Sequence, residues 1–171
     1  GRSASLTAPN GSAQRVLLLA AIGRAALAPP EVACVEAHGT GTALGDPTEA
    51  GALAAVHGAR TAPLAVGATK ANVGHTEAAS GQVGLLKVRR VLRDAVASGN
   101  PHVRTLNPLI RERLGGVSSC FVFPTDACVN PGLATAGLSA FGYSGSITHV
   151  VLSQDISTPK PFIRSAEAWV H

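Results

Sequence analysis

Two apolar rhythms alternate along this chain, one helical and one compact enough for buried strands. After a Ser/Gly/Ala/Asn-rich start that includes Leu6-Thr7-Ala8-Pro9-Asn10, apolar side chains recur at helical spacing through Val16, Leu17, Ala20, Ala21 and Ala25. The spacing predicts a helix over about 12–27, capped by Ser12 and stopped by Pro29-Pro30. Residues 31–37 hold Val32, Ala33, Cys34 and Val35 and predict a buried strand. A second helix follows to about His57; Asp46 at the cap, Pro47 after it and Glu49 form a capping-box pattern. Residues 63–68, with Leu64, Ala65 and Val66, predict another buried strand that ends at Lys70.

The longest helical pattern runs over 76–97. Its first half is small (Ala78, Ala79, Ser80, Gly81, Gly84), and its second half turns Leu85, Val88, Val91 and Leu92 inward. The basic residues Lys87, Arg89, Arg90 and Arg93 then form a solvated outer face. Residues 98–119 predict no regular element, with turns at Asn100-Pro101 and Asn107-Pro108. Short strands are expected over 120–123, 138–141 and 147–153, the last two flanking Gly142-Tyr143-Ser144-Gly145, and a linker or tail over 154–171. Strands alternating with helices define an α/β architecture with a partly parallel sheet.

At 171 residues the chain is long enough for one substantial core. Charged residues make up only 14%, which points to surface covered by a partner or by further polypeptide of the same chain. The net charge is +4, and its single basic cluster lacks interleaved aromatics, which argues against nucleic-acid binding. No apolar run is long enough to span a membrane. Cys34, Cys120 and Cys128 are odd in number and without paired spacing, so neither a disulfide framework nor a zinc site is indicated, and reduced intracellular thiols fit best.

The candidate chemistry lies in two Gly-rich turns whose histidines stand 37 positions apart. The first is Glu36-Ala37-His38-Gly39-Thr40-Gly41-Thr42, and the second is Lys70-Ala71-Asn72-Val73-Gly74-His75-Thr76. Gly39 and Gly41 let backbone approach a ligand, and Thr40 and Thr42 add hydroxyls. A neutral imidazole at a helix start can donate to a carbonyl oxygen that is gaining charge, so two of them facing one thioester suit enolate stabilisation. Phosphate binding is a rival use of such turns, but neither matches a P-loop or a dinucleotide fingerprint. Two histidines alone make no metal site.

Residues 36–50 (VEAHGTGTALGDPTEA with the preceding Val35), 70–81 (KANVGHTEAASG) and 137–152 (GLSAFGYSGSITHVVL) resemble the three C-terminal motif blocks of β-ketoacyl synthases. The similarity is to the ketosynthase domain of type I polyketide synthases and covers roughly residues 5–153. It implies the thiolase fold, a five-layered αβαβα sandwich, of which this chain would be the C-terminal half. It implies decarboxylative Claisen condensation in polyketide or fatty-acid synthesis. An acyl-Cys thioester is joined there to a malonyl unit carried as a phosphopantetheine thioester on acyl carrier protein, with no other cofactor.

By the resemblance, His38 and His75 are the catalytic histidines and Lys70 organises the site. The Tyr143 backbone N–H completes an oxyanion hole while its ring gates the pocket, and Gly142 belongs to that turn. Gly39, Thr40, Gly41, Thr42, Asn72 and Gly74 shape the substrate pocket. The family's nucleophilic cysteine lies in the N-terminal half, and none of the three cysteines stands in its motif. Ser144, Ser146, Ile147 and Thr148 also depart from the usual Gly, Thr, Asn and Ala. The expected partners are acyl carrier protein, the N-terminal half and a second copy in a homodimer; the expected setting is the cytoplasm, or a plastid for an algal source. The chain alone is expected to be inactive and poorly soluble. A non-condensing decarboxylase and a non-catalytic carrier-binding or dimerisation scaffold are the alternatives.

Overall fold

A computed structural model describes residues 8–129 and 133–154. In chain order its helices are α1 (Gly11–Arg24), α2 (Gly45–His57), α3 (Lys70–Val73), α4 (Ser80–Asp94) and α5 (Pro108–Leu114). Its strands are β1 (Cys34–Glu36), β2 (Leu64–Gly67), β3 (Val96–Ala97), β4 (Phe121–Val122), β5 (Cys128–Val129), β6 (Thr135–Phe141) and β7 (Ile147–Ser153).

Five strands form one sheet in the order β4-β2-β1-β6-β7. The first four run parallel, and β7 returns antiparallel to β6 from Phe141↔Ile147 to Thr135↔Ser153. β3 and β5 make a separate antiparallel ladder. The sheet is covered on both faces, which is why its central strands read as short, nearly continuous apolar runs. On one face Val35, Leu64 and Val66 pack against Leu18 and Ile22 of α1, Leu53 and Val56 of α2, and Leu114 of α5. On the other, Cys34, Ala136 and Leu138 meet Val88, Val91 and Leu92 of α4. The result is a three-layer α/β/α unit.

Several local expectations shift for identifiable reasons. α1 is capped by Asn10, not Ser12: the Asn10 carboxamide oxygen accepts the Ala13 N–H at 2.9 Å. It ends at Arg24, ahead of the Pro29-Pro30 stop. The capping box before α2 does not form, because Asp46 and Glu49 turn their carboxylates back into the preceding turn. The pattern over 76–97 splits into a 3-10 turn at Glu77–Ala79, α4 itself, and Ala95 in a left-handed conformation that ends the helix. Leu85 faces outward, while Val88, Val91 and Leu92 are buried as expected.

The stretch 98–119 is not without structure. Asn107 accepts the Leu109 N–H and Pro108 occupies the first turn of α5, so the Asn-Pro pair marks a helix start. Asn100, read only as a turn marker, is buried: its oxygen takes the Ala68 N–H, and its nitrogen donates to the Val66 and Pro124 carbonyls. It ties this long connection to the end of β2. Of the expected tail, Gln154 still bonds the Ala134 carbonyl at 2.8 Å, and residues 155–171 lie outside the described ones.

Candidate active site

His38 and His75 follow the carboxyl ends of β1 and β2, the edge where parallel α/β sheets gather ligands. The chain leaves β1 through Gly39, whose φ is +45°. A Cβ there would stand 2.7 Å from the Cβ of Ala68, so glycine is what lets the first turn pass against the segment leading to the second.

Acceptors from α2 then hold the turn. Glu49 takes the His38 N–H at 2.8 Å and the Gly39 N–H at 3.0 Å, one on each carboxylate oxygen. Asp46 takes the Gly41 N–H at 3.1 Å, and the Thr42 hydroxyl takes the Gly45 N–H at 3.1 Å. Burial pushes the Glu49 carboxyl up to about 7, against the pull of the two amides. Burial also raises Asp46, while the Gly41 amide works the other way.

Lys70 opens α3, a helix the sequence reading did not include, and its ammonium donates to the His38 carbonyl at 2.6 Å. Burial lowers its pKa; Glu36, Glu49 and Asp46 oppose that shift and favour the charged form. One side chain from the second turn therefore fixes the backbone of the first.

The two imidazoles meet edge to face, with ring centroids 6.0 Å apart and planes at 87°. Phe141, at the end of β6, donates its N–H to His38 Nδ1 at 3.2 Å and packs its ring 5.1 Å away. On His75, which is exposed, Nδ1 accepts the Glu77 N–H at 2.9 Å, and Glu77 holds a left-handed φ of +47° to present it. A backbone N–H can only donate, so in each ring Nδ1 is the acceptor and the remaining proton sits on Nε2. Burial, followed by the nearby charges of Lys70 and His75, holds the His38 pKa down to about 4, and that ring is neutral at physiological pH.

Both rings line a cleft of about 810 Å³ with Thr40, Thr42, Gly142 and Tyr143. A second, more apolar cavity of about 520 Å³ is lined by Gly39, Gly41, Lys70, Gly74 and, again, His75. Asn72 is exposed on α3 and lines neither. Tyr143 is 74% exposed and lines the larger cleft. In that turn Gly145, with φ +80°, carries the conformation that favours glycine; Gly142 is extended at φ −106°, and a Cβ on it would make only an ordinary 3.6 Å contact.

No thiol of the chain reaches either cavity. Cys34 is buried under α4 with its pKa pushed up to about 12 by that burial, Cys120 donates to the Gly58 carbonyl, and Cys128 lies exposed on β5. Among the described residues no helix is long and apolar enough to cross a membrane.

The sequence reading missed Glu36, Asp46, Glu49 and Phe141 as parts of the site. All four stand inside the quoted blocks, but their role is to receive or give backbone hydrogen bonds across sequence gaps that no local pattern encodes. Lys87 differs from expectation as well. It does not lie on the solvated face of α4; its side chain is 11% exposed and pairs with buried Glu36 at 2.6 Å.

A three-layer α/β unit with paired histidine turns at its strand ends defines one class of protein. The β-ketoacyl synthase C-terminal domain matches residues 1–104. Among curated relatives, polyketide synthase GfsA of Streptomyces halstedii is 42% identical over 165 residues, covering 93% of this chain and 2% of that protein. The pikromycin polyketide synthase component PikAIII of Streptomyces venezuelae is 41% identical over 162 residues, 90% of this chain and 10% of that protein. Among solved structures, the oxazolomycin ketosynthase domain OzmH KS7 of Streptomyces albus superposes with a TM-score of 0.79 at 32% identity, over 98% of this chain and 30% of that one. The ketosynthase from module 1 of the bacillaene synthase of Bacillus amyloliquefaciens gives 0.80 at 30% identity, over 92% and 28%.

This chain belongs to the β-ketoacyl synthase family. It is the C-terminal part of a ketosynthase of the polyketide synthase type, with the corresponding portion of the thiolase-like fold. The chain spans a small fraction of the large multidomain synthases it matches and under a third of these two ketosynthase structures.

Proposed function

We propose that this chain supplies the enolate-forming half of a ketosynthase centre, which condenses an acyl group on a cysteine with a malonyl-type unit delivered by acyl carrier protein. In the decarboxylation step the bond between the malonyl α-carbon and its carboxylate breaks and CO₂ leaves. The electron pair moves onto the thioester as an enolate. His38 and His75 direct their Nε2–H groups at the oxygen that gains charge, and as neutral donors they stabilise it without giving up a proton outright. The enolate carbon then attacks the acyl-Cys carbonyl, and the cysteine leaves as thiolate. That thiolate comes from polypeptide outside this chain, because its own three thiols are remote from the cleft.

The observation that supports the reading best is the pairing of the rings: 6.0 Å apart, at right angles, each with Nδ1 occupied by a backbone N–H. Lys70 keeps the first turn in place through the His38 carbonyl, and Thr40, Thr42 and Tyr143 line the cleft.

The test is His38→Ala in the full-length polypeptide that carries this chain, with malonyl thioester decarboxylation followed as CO₂ release. The reading predicts a loss of about 100-fold or more, the scale of removing an oxyanion donor. Wild-type decarboxylation would instead leave the chain a carrier-binding or dimerisation scaffold. A wild-type protein that releases CO₂ from the malonyl thioester but forms no condensed product when an acyl donor is supplied is instead a non-condensing decarboxylase.

A further inference from the structure

Glu36 lies at the end of β1, two residues before His38, and is one of few charged side chains buried in this fold. One carboxylate oxygen accepts the N–H of Thr69, the residue immediately before Lys70. The other faces the Lys87 ammonium at 2.6 Å, as an ion pair rather than an aligned hydrogen bond. Lys87 belongs to α4, the helix that follows His75. A single carboxylate thus touches all three segments that carry the site: β1 with His38, the start of α3 with Lys70, and α4 behind His75.

Room is left for this arrangement. A Cβ on Gly67 would lie 2.9 Å from Lys87 Nζ and 3.2 Å from Glu36 Oε2. One on Gly84 would lie 2.7 Å from Leu138 Cδ1 and 3.6 Å from Glu36 Cγ. Two missing side chains let α4 settle onto the sheet with the ion pair enclosed beneath it. A buried ion pair is a poor source of net stability, since desolvation offsets most of its attraction, and an apolar pair often serves the fold as well. In some folds such a pair serves instead to hold the elements it joins in one register.

We infer that Glu36, tied to Thr69 and Lys87, is a positioning residue that sets the two histidine turns relative to each other for the reaction. It touches no substrate and acts through Lys70, His38 and the seat of α4. The inference rests on the ketosynthase reading above.

The experiment compares two double variants in the full-length polypeptide, with melting temperature, kcat and KM for malonyl thioester decarboxylation as readouts. Glu36→Leu/Lys87→Met removes the Thr69 bond and the ion pair together and leaves an apolar contact. Glu36→Gln/Lys87→Met restores an acceptor for Thr69 but not the tie to α4. The expected result is a graded loss of kcat, about threefold to tenfold for the Gln double and more than tenfold for the Leu double. KM should stay within about twofold and both proteins should melt cooperatively.

Wild-type kcat in both doubles, or an equal loss in the two, overturns the assignment, as does a loss no greater than the unfolded fraction. Should the Leu double not melt cooperatively, Glu36→Gln alone decides. A severalfold lower kcat at unchanged KM supports positioning, and unchanged kcat refutes it. His38→Ala in the same assay separates the two ideas, because an unaffected His38→Ala protein refutes the ketosynthase reading whatever the Glu36 variants do.

Discussion

Glu49 carries the two amides that begin the first histidine turn, and its fit to them is specific to a carboxylate. Gln at 49 would accept one N–H and present its own NH₂ to the other. Glu49→Gln should therefore cost about 1–3 kcal/mol in urea unfolding and lower decarboxylation roughly tenfold by loosening the His38 backbone. Gly39→Ala should be harsher, because its Cβ meets the Ala68 Cβ, which has no rotamer to escape into, in a left-handed conformation. His38 itself, neutral above a pKa of about 4, should keep its donor role from about pH 5 upward. Protonation of His38 should therefore cut decarboxylation only near pH 4, whereas protonation of Glu49, at about 7, should loosen the turn and add a separate, shallower limb that Glu49→Gln abolishes; pH–kcat profiles of the two proteins check this. At this scale the sequence was informative about which residues meet, since His38, His75 and Lys70, drawn from two separate turns, do converge. It was silent about the site role of Asp46 and Glu49, because a carboxylate beside a helix start reads equally well as a cap, and about Glu36, which ends a buried strand with no local partner in the sequence.

At the scale of elements, legibility followed how local the cause was. α2, the inward residues of α4 from Val88 on, and the β6–β7 hairpin are encoded by period and by nearby turn residues, and they came out close to expectation. α5 did not, because seven residues with three charges show little periodicity, and its only signature is the Asn107-Pro108 start. Asn107→Ala should remove the bond to the Leu109 N–H and cost about 1 kcal/mol, measurable as a shift in urea midpoint at constant slope. α4 was misread at Leu85 and Lys87 for a common reason. Gly84 lets the helix sink against Leu138 and Glu36, which rotates its buried face toward Lys87 and leaves Leu85 outside. A hydrophobic pattern assigns a lysine to solvent unless a buried carboxylate is known to await it, and Glu36 announces itself only in three dimensions.

For the whole molecule, two consequences follow from what lies buried and what does not. Burial lowers His38, His57 and His149 to about 4, below their ordinary value of 6.5. Between those values the unfolded chain binds more protons than the folded one, so stability rises with pH from about 4 to 6.5. Glu49 acts in the opposite sense, its raised pKa favouring the folded state at low pH and losing that contribution as pH climbs to about 7. Asp46, also raised by burial, acts in the same sense as Glu49; three histidines outweigh these two carboxylates, and the urea midpoint should increase from pH 4.5 to 6.5. The exposed apolar residues of α3 and α4 (Val73, Leu85, Leu86 at 63%) and the short span of the chain relative to its ketosynthase neighbours point the same way. Produced alone, the chain should self-associate, and a sharp monomer peak in gel filtration would contradict this. The claim on which the account turns is that two imidazoles act together on one oxygen. A double-mutant cycle on decarboxylation in the full-length polypeptide, using His38→Gln, His75→Gln and the pair, measures it directly. Shared action predicts that the double variant loses little more than the worse single one, whereas losses that simply multiply would show two independent rings and contradict the account.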